Sequence, residues 1–403
     1  MADWDPKTFD LNAIDEQFIE NPYPILKHLR EKKPIHWNPD GSVFLTRYND
    51  IRKVYQDRSM ISDKREAFGE KFGDGPLYQQ HTTSLVFNDP PYHTTARKLL
   101  AGAFTPRKLA ELEPLIEGVV DELLDTLEDA RDVNFVTEFA MRLPTEIISF
   151  MLGVPKEHRS KLRAFSLAIL GALDPKVSND RLEQGNNAVA EFGALLDELI
   201  NHRRQFPEKS GQGEVLQALI FGAHNRVKLT QEELIQNCIF LLNAGHETTT
   251  SMMSNGMGML LNEPQQRKEL VNNHKSIASA VEEILRFESP LQIGNRLTSQ
   301  DTELESGTIP AGTYIHTSIA SANRDSAVFD DPDSINFKRA PNPHIAFITG
   351  IHVCLGATLA RYEGRIAFAR LINRFPNFEP AGTAKRMPLA RFRGYTDLPV
   401  RMF

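Results

Sequence analysis

The chain has 403 residues, 41% apolar and 25% charged, with 53 Asp and Glu against 46 Lys and Arg, a net charge of −7. That composition excludes a disordered chain, and the mildly acidic balance argues against a dedicated nucleic-acid binder. Two cysteines, Cys238 and Cys354, leave no disulfide framework and no four-thiolate zinc site.

Met1 to Pro6 has no basic start and no apolar run, so no secretory signal is expected. No window approaches the ~20 consecutive apolar residues of a membrane span. The expectation is a cytoplasmic protein, off the membrane, with both thiols free. Asn21-Pro22-Tyr23-Pro24 opens a predicted helix over 25–31, with prolines in its first turn. Residues 35–37 and 43–46 flank Asn38-Pro39-Asp40-Gly41 and read as a hairpin. From about 93 to 288 the pattern is helical. Leu109, Leu112, Ile116, Val119, Leu123 and Leu127 recur at spacings of three and four, one buried stripe.

Thr230-Gln231-Glu232-Glu233 is a capping box, with Leu229 and Leu234 placed as a hydrophobic staple. The next strong breaker is Pro264, so this helix is expected to run about 30 residues, on the order of 45 Å, long enough to be central. After Pro290 come a turn at 308–313, a strand at 314–319, an irregular segment over 325–343, a helix over 357–375 and short closing strands. Length alone is a soft argument for two or three domains of roughly 150 residues. No repeat or linker marks a cut, so the expectation is one domain over 1–403, mainly α with a minor antiparallel or mixed β region.

Phe347-Ile348-Thr349-Gly350-Ile351-His352-Val353-Cys354-Leu355-Gly356 sets one cysteine in a glycine-rich loop before a helix. Helix N-termini favour anions, which would stabilise a thiolate, and the glycines let a flat ligand approach. A lone cysteine in a turn is more often structural, but the surrounding pattern reverses that. Written F-x-x-G-x-H-x-C-L-G, the segment resembles the haem-binding loop of the cytochrome P450 superfamily. A chance match of six positions in this chain is on the order of 10⁻⁵. One departure is Ile348, where the family usually has Gly.

The resemblance implies haem b (iron protoporphyrin IX) with Cys354 as the axial thiolate, which favours O–O cleavage. It implies Phe347, Gly350 and Gly356 around the cofactor and His352 toward a propionate. Ala244-Gly245-His246-Glu247-Thr248, inside the long helix, resembles the family's oxygen-activation motif. Ala244 and Gly245 would leave room for dioxygen, Thr248 would hydrogen-bond the oxygen being activated, and Glu247 would relay protons. A zinc-protease reading of His246-Glu247 fails, because position 250 is Thr. Glu283-Ile284-Leu285-Arg286 with Arg339 resembles the family's structural charge cluster, although Ile335 and Asn336 replace its usual Phe and Asp. His93, Arg97 and Arg296 match propionate-binding positions, and an arginine fork suits a carboxylate. Segments 322–325, 341–344 and 359–363 also look like the soluble bacterial branch, so the resemblance runs from about Asn21 to the C-terminus. The implied fold is a single triangular domain around the long helix.

Substrate-lining positions inferred from the pattern are Val86, Phe87, Phe240, Asn243, Gln292, Ile293, Tyr395 and Thr396. They imply a mid-sized, mainly hydrophobic substrate. Asn243 and Gln292 would either contact it or merely satisfy backbone or water. With no flavin or nicotinamide fingerprint in the chain, electrons are expected from an acidic iron–sulfur ferredoxin and its reductase. It would dock on Arg97, Lys98, Arg107, Lys108, Arg361 and Arg365. The leading reading is a monooxygenase using O2. Its alternatives are a peroxide-dependent or otherwise divergent haem-thiolate enzyme and a non-catalytic haem carrier or sensor.

Overall fold

The computed structural model describes residues 5, 8–130, 132–175, 177–207, 213–222 and 228–403. The expectation for Met1 to Trp4 and Pro6 lies outside them. The capping box forms as its residues dictate. Thr230 Oγ1 accepts from the Glu233 N–H at 3.2 Å, and a Glu233 carboxylate oxygen accepts from the Thr230 N–H at 2.7 Å. The helix it opens, Gln231–Asn262, is the longest described, with 32 residues. Leu229 and Leu234 are buried in one core with it. Pro264 does not stop the chain's helicity for long. It becomes the first residue of Pro264–Asn272, where its missing N–H is harmless.

Against the central helix pack Arg142–Leu152, Lys156–Gly171 and Asn179–Gln205, while Pro106–Asp129 packs on Arg142–Leu152 and Ala357–Arg374. Leu109, Ile116, Val119, Leu123 and Leu127 are buried, with Leu112 at the edge of the stripe. The region 93–288 is not wholly helical. Asp132–Asn134 is a strand pairing antiparallel with Pro399–Met402, which also pairs with Phe378–Pro380. The main sheet runs Ile35–Trp37, Val43–Leu45, Tyr314–Ser318, Ile293–Thr298, Met60–Ile61. Its 43–45 and 314–318 strands are parallel and its other pairs antiparallel. The fold is thus mainly α with a minor mixed sheet, as expected. No helix among the described residues is long and apolar enough to cross a membrane.

Helix Ile277–Phe287 carries the charge cluster into the interior. Glu283 and Arg286 are both fully buried and meet through two 2.7 Å hydrogen bonds. Arg339 Nε donates to the same carboxylate at 3.1 Å, and the Asn336 N–H and Asn342 amide add to it at 2.9 and 3.2 Å. Replacing the usual Phe and Asp by Ile335 and Asn336 therefore leaves the cluster intact.

Helix Ala357–Arg374 lies against the central helix, and there Glu363 is buried with one described partner, the Thr249 hydroxyl at 3.3 Å. Desolvation pushes its carboxyl up to about 8, against a modest lowering by Thr249. A carboxyl raised on folding binds its proton more tightly in the folded state. Its contribution to stability is complete below about 4.5 and is lost as pH rises through about 8, a span worth roughly 5 kcal/mol.

Two outcomes follow. Glu283→Ala leaves two buried guanidiniums without their carboxylate and should lower unfolding free energy by about 3–5 kcal/mol in denaturant titration. Glu363→Gln should match the wild type near pH 5 and exceed it near pH 9. Parallel stability–pH curves for the two proteins would contradict the assignment.

Candidate active site around Cys354

The loop before helix Ala357–Arg374 is closed by backbone bonding, the Cys354 N–H donating to Phe347 O at 3.0 Å. Gly350 sits at φ +76°, where a Cβ would collide with the Tyr55 carbonyl oxygen. Ile348, the departure from the family pattern, takes φ +52°. The turn is thus kept without glycine, at a local cost of about 1–2 kcal/mol. Packing of the half-buried Ile348 side chain against the cluster that contains Tyr55 and Phe329 offsets it. Behind the loop, Glu282 accepts two bonds from Arg361, at 2.7 and 2.8 Å, and faces His344 Nε2 at 3.0 Å. Arg361 in turn stacks on Phe347, 4.6 Å from its centroid.

Cys354 is reached by solvent. It nevertheless lies deep enough in surrounding protein that desolvation raises its thiol pKa, outweighing the Gly356 N–H, Arg97 and Arg361. The helix N-terminus alone therefore does not yield the expected thiolate. A coordinated cation would, because metal ligation deprotonates a thiol. Cys238 is buried on the central helix, its thiol pushed up to about 12 by desolvation. It is a packing residue.

Four expected anion-binding residues gather beside the loop. The His93 and His352 rings lie 4.1 Å apart. His352 Nε2 is 3.0 Å from Ser62 Oγ, while His93 Nε2 is buried without a described partner. Arg97 donates to Val353 O at 2.7 Å. Arg296, on strand Ile293–Thr298, donates to Asn295 O at 2.7 Å and lies over the Tyr55 ring at 4.8 Å. Neither arginine has a carboxylate within ion-pair distance among the described residues. Burial, with nearby positive charge, lowers His93 to about 4 and His352 to about 2, so both imidazoles are neutral at pH 7. Two unpaired guanidiniums and an orphan imidazole nitrogen fit the two carboxylates of an iron protoporphyrin, with Cys354 as its sulfur ligand.

On the central helix, every residue from Leu241 to Leu260 is buried except Ala244, Gly245 and Thr248. Ala244 is exposed, and with the half-buried Phe240 and Thr248 it forms an accessible strip at spacing four. Thr248 Oγ1 donates to Ala244 O at 2.6 Å, the back-bond expected of a mid-helix Thr. Gly245 is half-buried, and a Cβ there would lie 3.3 Å from Ile148 Cδ1, so its lack of a side chain also lets a neighbouring helix close in. Glu247 is fully buried. Its carboxylate has no described hydrogen-bond partner and lies 3.4 Å from His246 Nδ1.

The loop carrying Val86 and Phe87 is tied to this helix, since Asn237 accepts from the Leu85 N–H at 2.9 Å and donates to Tyr92 OH at 3.0 Å. Ile293 is buried against Phe18, Leu26 and Phe44 in the N-terminal core, away from the strip, whereas Asn243 is buried with an orphan amide oxygen. Gln292 donates to Ser289 O at 2.5 Å and borders a small cleft against Phe18, Leu26 and Phe44. Tyr395 and Thr396 are not brought to the motif. Tyr395 packs on Gly258, ten residues and roughly 15 Å beyond Thr248, and Thr396 donates to Lys385 O in a terminal hairpin. The approach to the strip comes earlier in that hairpin, where Gly394 abuts Ser251. Lys64 was not singled out in the sequence, nor was Arg391. Both are buried, and no motif position or periodicity marks them.

A family model described as Cytochrome P450 matches residues 20–279 and 275–396. The biotin biosynthesis cytochrome P450 of Bacillus subtilis is 33% identical over 98% of this chain and 99% of its own length. The vitamin D(3) 25-hydroxylase of Pseudonocardia autotrophica is 36% identical over 96% and 94%. Among solved structures, P450BioI bound to an acyl carrier protein ligated to hexadec-9Z-enoic acid superposes with a TM-score of 0.91, at 33% identity over 96% of this chain and all of that one.

Gly350→Ala should cost about 2 kcal/mol or more, because it adds both a collision and a left-handed strain. Gly356→Ala meets no atom within 4 Å and should cost under about 1 kcal/mol. Thermal unfolding of the two variants makes the comparison.

Proposed function

The chain belongs to the cytochrome P450 family and is a monooxygenase of that family; on that premise we propose that it holds haem b through Cys354 and oxidises a mid-sized, mainly hydrophobic organic substrate beside Ala244 and Thr248. The observation that carries this reading is the solvent-reached Cys354 in a loop beside Arg97, Arg296, His93 and His352, none of which has a carboxylate within ion-pair distance among the described residues. When bound, the haem supplies dioxygen activation and insertion of one oxygen atom, aided by electron donation from the thiolate.

The protein's own part is binding, positioning and proton handling. Arg97, Arg296, His93 and His352 receive the propionates. Phe87 and Phe240 give the substrate apolar walls that exclude water. Thr248 keeps its hydroxyl proton on Ala244 O, leaving its lone pairs free to accept, and rotation about χ1 lets it donate instead. Glu247, buried one residue earlier, holds a proton-exchanging carboxyl out of bulk solvent.

Residues 1–403 act in this reading as one cytoplasmic haem domain supplied with electrons by an iron–sulfur ferredoxin and its reductase. In this reading Lys98 and Arg365 carry the docking face, since Arg107, Lys108 and Arg361 are paired with Glu111, Glu214 and Glu282 and Arg97 is given to a propionate. Attraction of an acidic partner to this face predicts a reduction rate that falls with ionic strength.

Cys354→Ala should abolish the red-shifted Soret band of the reduced carbon-monoxide complex, whereas Cys238→Ala should keep it. Thr248→Ala should lower product formed per electron pair several-fold while haem content is unchanged. Unaltered coupling in that variant would falsify the role of its hydroxyl.

A further inference from the structure

The cationic groups beside the site outnumber the carboxylates facing them. Lys64 is 4% exposed, and its ammonium has one described hydrogen bond, to Ser62 O at 3.0 Å. It lies 5.8 and 5.9 Å from the ring centres of Phe68 and Phe87. Arg391 is 7% exposed, and the described hydrogen bonds of its guanidinium go to backbone carbonyls, Leu173 O at 3.0 Å and Ile293 O at 2.9 Å. Among the described residues no carboxylate oxygen lies within ion-pair distance of either.

The two nearest acids are turned elsewhere. Asp89 accepts from the Ser62 and Asp63 N–H groups at 3.0 Å, and Asp174 from the Ala390 and Arg391 N–H groups at 3.3 and 3.2 Å. Beside Lys64 the packing is aromatic. Phe68, Phe72 and Phe87 surround His81 with ring centres 5.0–5.7 Å from it. Burial lowers His81 to about 4, so it adds no charge at neutral pH. Burial, with Arg296 and Arg391 nearby, lowers Lys64 well below the ordinary lysine range; an anion meeting it would restore the ammonium and would also answer the unpaired guanidinium, both costly out of water otherwise. The haem carboxylates already have Arg97, Arg296, His93 and His352. An aromatic wall ending in two further cations suits a ligand with an apolar body and an acidic end.

We propose that Lys64 and Arg391 form an anion subsite beside Phe87, and that the substrate carries a carboxylate on an apolar body. This rests on the monooxygenase reading above and specifies its substrate class. Phe87, inferred from sequence as substrate-lining, joins the subsite to the remaining apolar wall.

The test uses holoenzyme with octanoate, dodecanoate and hexadecanoate, each beside its methyl ester. Binding is read by the low-spin to high-spin shift and by calorimetry. The wild type should bind at least one acid about ten- to a hundred-fold more tightly than its ester, the range for a charge-assisted hydrogen bond. Lys64→Met should remove most of that preference while ester affinity and haem content stay unchanged, and Arg391→Gln should weaken it as well. The proposal is overturned if no acid is preferred by the wild type, if Lys64→Met keeps the preference, or if that variant loses haem because Lys64 serves the propionates. The carbon-monoxide spectrum of the wild type is independent of all these outcomes. Loss of the thiolate band would sink the monooxygenase reading itself, whereas ester binding without acid preference sinks only the subsite.

Discussion

The Glu283 carboxylate, removed from water and shared between Arg286 and Arg339, is the interaction on which the approach to the cysteine loop depends. All five guanidinium donors of Arg286 are used, two on Glu283 and three on the carbonyls of Asn323, Pro332 and Ser334. Arg339 adds the carbonyls of Asp330 and Asp331. A stretch with almost no regular structure is thereby pinned to helix Ile277–Phe287 through its own backbone. Half of such a network would be worse than none, since each unpaired charge would carry its full desolvation penalty. The neighbouring Glu282 extends the same helix to His344, Arg361 and, through Arg361, to Phe347 at the start of the loop. The sulfur is thus held from behind by two consecutive acidic residues, one wholly buried and one partly so.

In front of the sulfur the electrostatics have the opposite character. Acids in the support are matched by arginines, whereas among the described residues the arginines, lysine and histidines in front of the loop have no carboxylate within ion-pair distance. That asymmetry separates scaffold from site. A folded chain satisfies its buried charges unless something else is meant to satisfy them. Two sets of unmatched cations, one with Arg97 and Arg296 and one with Lys64 and Arg391, therefore read as places for anionic ligand groups. Asn243, one of the two polar exceptions in the expected substrate wall, keeps an orphan amide oxygen. Gln292 already bonds its own chain, and the cleft it borders lies against the N-terminal elements.

The loop itself shows how a pattern can depart from its family without losing its shape. Gly350 has no alternative, because the Tyr55 carbonyl occupies the space of a side chain. Ile348 adopts a left-handed backbone that a β-branched residue disfavours, and its side chain gains apolar neighbours in return. The closing bond from the Cys354 N–H to Phe347 O is present all the same.

By itself the sequence determined whatever depends on residues near one another in the chain. The Thr230–Glu233 cap, the stripe from Leu109 to Leu127 and the loop from Phe347 to Gly356 are local, governed by helix periodicity, turn geometry and spacing. The family resemblance added the distant partners that sit in motifs, among them His93, Arg296 and Arg339. Only the tertiary structure decided which side of a helix faces what. Gly245 and Ala244 are adjacent in one motif, yet one receives Ile148 and the other stays accessible. Tyr395 follows the right hairpin but lands roughly 15 Å along the helix from Thr248. The thiol's environment and the charges of Lys64 and Arg391 belong to the same class, because desolvation and unpaired charge are properties of what surrounds a group, and those surroundings come from residues hundreds of positions apart.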